Sequence, residues 1–81
     1  MYLLWRLPLP KLPRLSGSAV CKILAQNGFE KVRQRGSHII MQKHIGGTTI
    51  TVPVPDHKEL RTGTFRSIIR QSGLPTSTFK T

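Results

Sequence analysis

Acid is what this sequence has least of. Of 81 residues only three are Asp or Glu, against thirteen Lys and Arg, giving a formal net charge of +10 and a pI near 11.4. Glu30, Asp56 and Glu59 are scattered along the chain. They cannot form the paired carboxylates of a glycosidase or an acidic cage for Mg²⁺ or Ca²⁺. One cysteine, Cys21, excludes an intrachain disulfide framework and any multi-cysteine zinc site. Long hydrophobic runs are missing too. The apolar stretch Tyr2 to Trp5 is too short to span a membrane. Arg6 and the prolines Pro8, Pro10 and Pro13 interrupt what would be a leader's apolar region, and no Ala-x-Ala site follows. The expectation is a cytoplasmic chain with no membrane segment, no metal and no cofactor. What is present is 37% hydrophobic residues, enough for one small core. The cationic surface selects polyanions, so nucleic acid or an acidic protein is the default partner.

Residues 1–15 read as an apolar, Pro-rich extension with six Leu and three Pro. They are either a loosely ordered tail or an extended arm that packs on a partner. Residues 16–75 read as the folded domain. Val20, Ile23 and Leu24 make an apolar stripe at helical spacing. Ser16 or Ser18 can cap its start, and Asn27-Gly28 is a left-handed stop. A second helix runs from Thr62-Gly63-Thr64 to about Gln71, with Phe65, Ile68 and Ile69 as its stripe. Gly73 ends it, Leu74 is placed to fold back in a Schellman arrangement, and Pro75 prevents continuation. Residues 76–81 read as a polar tail.

Between the helices, Lys31 to Val54 divides into three strands at two tight turns. Gly36-Ser37 suits a type II′ hairpin and Gly46-Gly47 a type I′ hairpin. Counting outward pairs Arg35 with His38, Arg33 with Ile40, Lys31 with Gln42, Ile45 with Thr48, Lys43 with Ile50 and Met41 with Val52. The two counts agree on an apolar face of Val32, Ile39, Met41, Ile50, Val52 and Val54. They agree equally on a basic face of Lys31, Arg33, Arg35, His38, Gln42, His44, Thr49 and Thr51. A one-residue slip would exchange the two sets. Gln34 and Lys43 are misfits on the first face, and Ile40 on the second. The predicted fold is α+β, ordered α-β-β-β-α. It has a three-stranded antiparallel sheet with two helices on one face, the layout of double-stranded-RNA-binding domains.

His38 is the candidate for chemistry. It opens the second strand after a glycine turn, opposite Arg35. An imidazole is mostly uncharged near pH 7, the form a general base needs. RNA supplies its own nucleophile in the 2′-hydroxyl. A base that removes that proton, beside cations that hold the phosphate, cleaves the backbone without a metal. The shortage of acid favours that route over two-metal hydrolysis. Lys31, Arg33, Arg35, Ser37, Gln42 and His44 are the candidate RNA contacts. Taken alone, a histidine near arginines is more often a surface residue or a phosphate contact than a base. His44 lies roughly 20 Å further along the strand, too far to act on the same phosphate. Arg66 and Arg70, four residues apart on the second helix, are a solvated face or a phosphate-binding edge.

Four stretches carry a resemblance: LPRLSG at Leu12 to Gly17, NGFEKVRQRGSH at Asn27 to His38, TVPVPDHKEL at Thr51 to Leu60 and GTFRSIIRQSGL at Gly63 to Leu74. Together they resemble the HicA family of small bacterial and archaeal toxins, also called the YcfA-like family. The resemblance implies a double-stranded-RNA-binding-like fold and an mRNA interferase, a ribonuclease that cleaves mRNA and stops growth. It also implies a HicB-type antitoxin that covers the active site. The family's catalytic histidine, in the Gly-Ser-His motif, falls on His38. Where many members have a second histidine next, this chain has Ile39. The alternatives are a non-catalytic RNA-binding module on the same fold and an interaction piece for acidic protein.

Overall fold

A computed structural model describes residues 12–80. The expectation for the Pro-rich extension therefore lies outside the described residues as far as residue 11. Leu12 and Leu15 are described and pack against the core. Leu15 is tied across to the loop before the second helix, its carbonyl accepting from Leu60 N–H at 2.9 Å.

Helix α1 spans Gly17–Gln26. Ser16 caps it, its hydroxyl accepting from Ala19 N–H at 3.1 Å. Gly28, at φ 93°, turns the chain away, and Phe29 N–H closes back on Leu24 C=O at 3.0 Å. Gly17 has a separate reason to be glycine. Its N–H donates to His57 C=O at 2.8 Å, and a Cβ built on it would fall on the Pro55 carbonyl oxygen. Backbone cannot step aside as a flexible side chain can. Alanine is normally the better helix former by up to about 1 kcal/mol. Here overpacking dominates, and Gly17→Ala is expected to destabilise the fold by about 1–3 kcal/mol in urea titration. An unchanged or raised midpoint contradicts the close approach.

Strands β1 (Glu30–Arg35), β2 (His38–Ile45) and β3 (Thr48–Pro55) form an antiparallel sheet in the order β1-β2-β3. Both turns have the expected backbone signs. Gly36 has positive φ and Ser37 does not, as type II′ requires, whereas Gly46 and Gly47 are both positive, as type I′ requires. The β2–β3 register is the counted one throughout. The β1–β2 register is as counted from Arg35↔His38 to Arg33↔Ile40, then shifts at a bulge between Lys31 and Arg33.

That bulge corrects two expectations. One extra residue reverses the faces of everything before it on the strand. Lys31 pairs with Met41 rather than Gln42, so it lies on the helix side of the sheet, where its ammonium donates to Gln34 Oε1 at 3.2 Å. Glu30 takes the place opposite Gln42 on the open side. Val32, expected in the core, is 37% exposed at the bulge. β1 is an edge strand whose only aliphatic residue is Val32, so little apolar burial enforces its register. Lys43 follows expectation: it is half-buried on the core side, with its ammonium 5.8 Å from the Phe29 ring centroid.

Helix α2 spans Thr62–Ser72 and packs chiefly on β3. Phe65, Ile68 and Ile69 join Val20, Leu24, Phe29, Ile39, Met41, Val52 and Val54 in one core. Gly73, at φ 72°, ends the helix, but Leu74 N–H bonds Ser72 Oγ at 3.1 Å rather than a helix carbonyl, so the stop is not the expected Schellman closure. The expected polar tail is also corrected. Thr76–Phe79 form a 3₁₀ turn that delivers Phe79, with no solvent exposure, onto Phe65 in an edge-to-face contact. Its neighbours are polar, so no apolar periodicity announces it.

Candidate functional site

A chain of backbone ties fixes the position of His38. The Gly36-Ser37 turn places it at the first position of β2. Ser37 C=O accepts from Asp56 N–H at 2.6 Å, joining this end of the hairpin to the end of β3. The same loop, one residue on, accepts from Gly17 at the start of α1. The histidine therefore stands on a corner braced by three elements.

Its side chain is exposed on the open face of the sheet. In register beside it are Arg35 on β1 and Pro55 on β3. Directly opposed residues project to one side, with Cβ atoms roughly 5 Å apart. The next residue on this face is Ile40, flanked by Arg33 and Pro53. Ile40 is only 7% exposed yet stands apart from the main core, an apolar spot in the basic face. Further along, Gln42 Nε2 donates to Thr51 Oγ1 at 3.2 Å, and His44 Nδ1 lies 3.0 Å from Thr49 Oγ1. Arg33, Arg35, His38, Gln42 and His44 thus share the open face, with Ser37 exposed in the adjoining turn. Lys31 does not join them, for the reason the bulge gives.

On the side of His38 away from β1 the sheet meets α2. His38, Pro53, Pro55, Gly63, Thr64, Ser67, Ile68 and Gln71 line a shallow groove there. Gln71 Nε2 donates to Ser67 Oγ at 3.0 Å. His38 is the one ionisable side chain of this lining among the described residues. Strand counting gave no sign of this wall. The available signal was the spacing of Thr64, Ser67 and Gln71, three polar residues at i, i+3 and i+7 on one side of a helix.

The site is therefore divided. Fixed cations lie to one side of the imidazole and neutral hydroxyl and amide groups to the other. It can hold an anion against a neutral polar ring, with a titratable group between them. Arg66 and Arg70 lie elsewhere, lining with Lys80 a second groove floored by Leu12, Ile69, Leu74 and Pro75. His57 is exposed in the loop. Among the described residues no three of His, Cys, Asp and Glu are grouped to hold a metal ion, and no helix is long and apolar enough to cross a membrane.

With this geometry in place, comparison with known families finds one match, described as the HicA toxin of bacterial toxin–antitoxin systems, over residues 17–74. That is more than half of the chain. The chain belongs to the HicA toxin family. Comparison with curated proteins and with solved structures finds no match. Membership makes this protein a toxin of a toxin–antitoxin system, with an antitoxin as partner. In this toxin the residue after His38 is Ile39, 7% exposed and part of the core. A second histidine at that position would face the helices rather than the groove.

Cys21, half-buried against the core, acts as a small filler. Burial pushes its thiol pKa up; Asp56 adds to that and Lys31 opposes it. A thiol kept protonated is a poor nucleophile.

Proposed function

We propose that this HicA-family toxin is a metal-independent endoribonuclease that cleaves mRNA, with His38 as general base. The observation that carries the reading is the placement of His38, exposed on the open face directly across from Arg35 and beside a groove. Arg33 and Arg35 hold the scissile phosphate. The imidazole takes the proton of the neighbouring ribose 2′-hydroxyl. The 2′-oxygen attacks phosphorus, and the bond from phosphorus to the 5′-oxygen breaks. The guanidinium of Arg35 stabilises charge that builds on the phosphoryl oxygens. The departing 5′-oxygen needs a proton, and no second acid lines the groove among the described residues. The imidazolium formed in the first step returns it. The products are a 2′,3′-cyclic phosphate and a 5′-hydroxyl.

Gln42 and His44 extend the contact along the strand, while Ser37 borders the histidine from the turn. A HicB-type antitoxin is the proposed partner, silencing the toxin by covering this cationic face. The test is purified protein incubated with RNA in EDTA. Cleavage is expected. Binding without cleavage favours a non-catalytic RNA-binding module on the same fold.

A further inference from the structure

The groove beside His38 is built unlike the arginine side of the site. Its wall carries Thr64, Ser67 and Gln71 from α2, none of them charged, and its sheet side carries Pro53 and Pro55, on the same face as the imidazole. A phosphate meets no positively charged side chain on that wall. A nucleotide has the same two-part character: an anionic phosphate, a neutral planar base and a ribose between them. The site presents these features in the same order, with Arg35 on one side, His38 in the middle and the neutral wall on the other. We infer that this groove is a nucleobase pocket, receiving the base carried by the ribose that His38 deprotonates. The inference rests on the ribonuclease reading of His38 and adds a source of sequence preference to it.

The chemistry of the lining fits a base. The two pyrrolidine rings, neither of them buried, supply apolar surface for the face of a flat heterocycle, with the buried Ile68 behind the wall. The bond from Gln71 Nε2 to Ser67 Oγ fixes the local polarity. With its nitrogen engaged, Gln71 keeps Oε1 free to accept. Ser67, having accepted, keeps its hydroxyl proton to donate. An acceptor beside a donor is what the edge of an unstacked base pairs with, and single-stranded RNA is read on such edges. Gly63 adds no side chain at the rim, and space there is open. The groove, at about 460 Å³, falls within the range of small-ligand clefts.

The test uses a pool of RNA oligonucleotides randomised around one position, digested by wild type, Gln71→Leu and Ser67→Ala and then sequenced at the new ends. The readout is the ratio of bases immediately 5′ of the cut, not the amount cut. Wild type is expected to favour one base or a pair of bases. Gln71→Leu is expected to flatten that ratio about tenfold, the worth of one or two hydrogen bonds, and Ser67→Ala to flatten it less. Arg70→Leu, on the other side of the same helix, is expected to leave the ratio alone. Circular dichroism melts of each variant keep a folding defect from being mistaken for lost reading. Equal base ratios for wild type and Gln71→Leu overturn the pocket while leaving His38 as base. If wild type binds the pool without cutting it, the ribonuclease reading falls. The bound fraction is then sequenced instead, and a preference lost in Gln71→Leu supports the pocket, whereas an unaltered one overturns it.

Discussion

Replacing His38 with Ala is expected to lower RNA cleavage by about 10²–10⁴-fold, the contribution of a positioned general base. Growth arrest on expression should disappear with it. The fold should remain, because the side chain is exposed and packs under no helix. Surface changes of this kind usually shift stability by no more than about 0.5 kcal/mol. Arg33 and Arg35 are untouched, so RNA binding should persist and weaken with salt as phosphate contacts do. The separation of binding from cleavage makes the variant informative. Cleavage rate, RNA affinity and a thermal melt, measured on one preparation, check all three statements. Undiminished cleavage by a folded His38→Ala protein contradicts the assigned role.

Phe79→Ala should have the largest effect on stability. The ring has no solvent exposure and meets Phe65 edge-to-face, with centroids 5.7 Å apart and planes at 83°. Truncating a buried phenylalanine costs about 3–5 kcal/mol from lost transfer energy and the cavity left behind. The aromatic pair accounts for about 0.5–1.5 kcal/mol beyond burial. A domain of this size has little stability in reserve. The variant is therefore expected to be largely unfolded or to melt far below the wild type, and removal of residues 76–81 should do the same. Lys80→Ala, one residue on and exposed, should be close to neutral. A urea midpoint for Phe79→Ala near that of wild type contradicts the packing.

Much of the architecture could be read from single residues with strong backbone preferences. Gly36, Gly46, Gly47 and Gly73 each stand where a positive φ is needed, and they mark the turns and the end of α2. The β2–β3 register followed because two strands rich in branched residues must agree on one buried face. The β1 bulge could not be read, since an edge strand of charged and amide residues loses little by slipping. Lys31 was misplaced for that reason alone. Phe79 was hidden differently: one aromatic among threonines, serine and lysine makes no periodic pattern, and only the 3₁₀ turn brings it home. At the site, His38 and its arginines were legible from hairpin counting because they share one sheet. The wall of Thr64, Ser67 and Gln71 was not, because it depends on where α2 rests against β3. That is a matter of tertiary packing and is absent from either element's own pattern.

In the proposed mechanism the RNA's own 2′-hydroxyl is the nucleophile and His38 is its base. The most direct measurement is the chemistry of the ends made by the wild-type protein in EDTA, read by mass spectrometry of a short oligonucleotide. A 2′,3′-cyclic phosphate on one fragment and a 5′-hydroxyl on the other are expected. A 3′-hydroxyl and a 5′-phosphate would show that water attacked the phosphorus, and the account of His38 would be wrong.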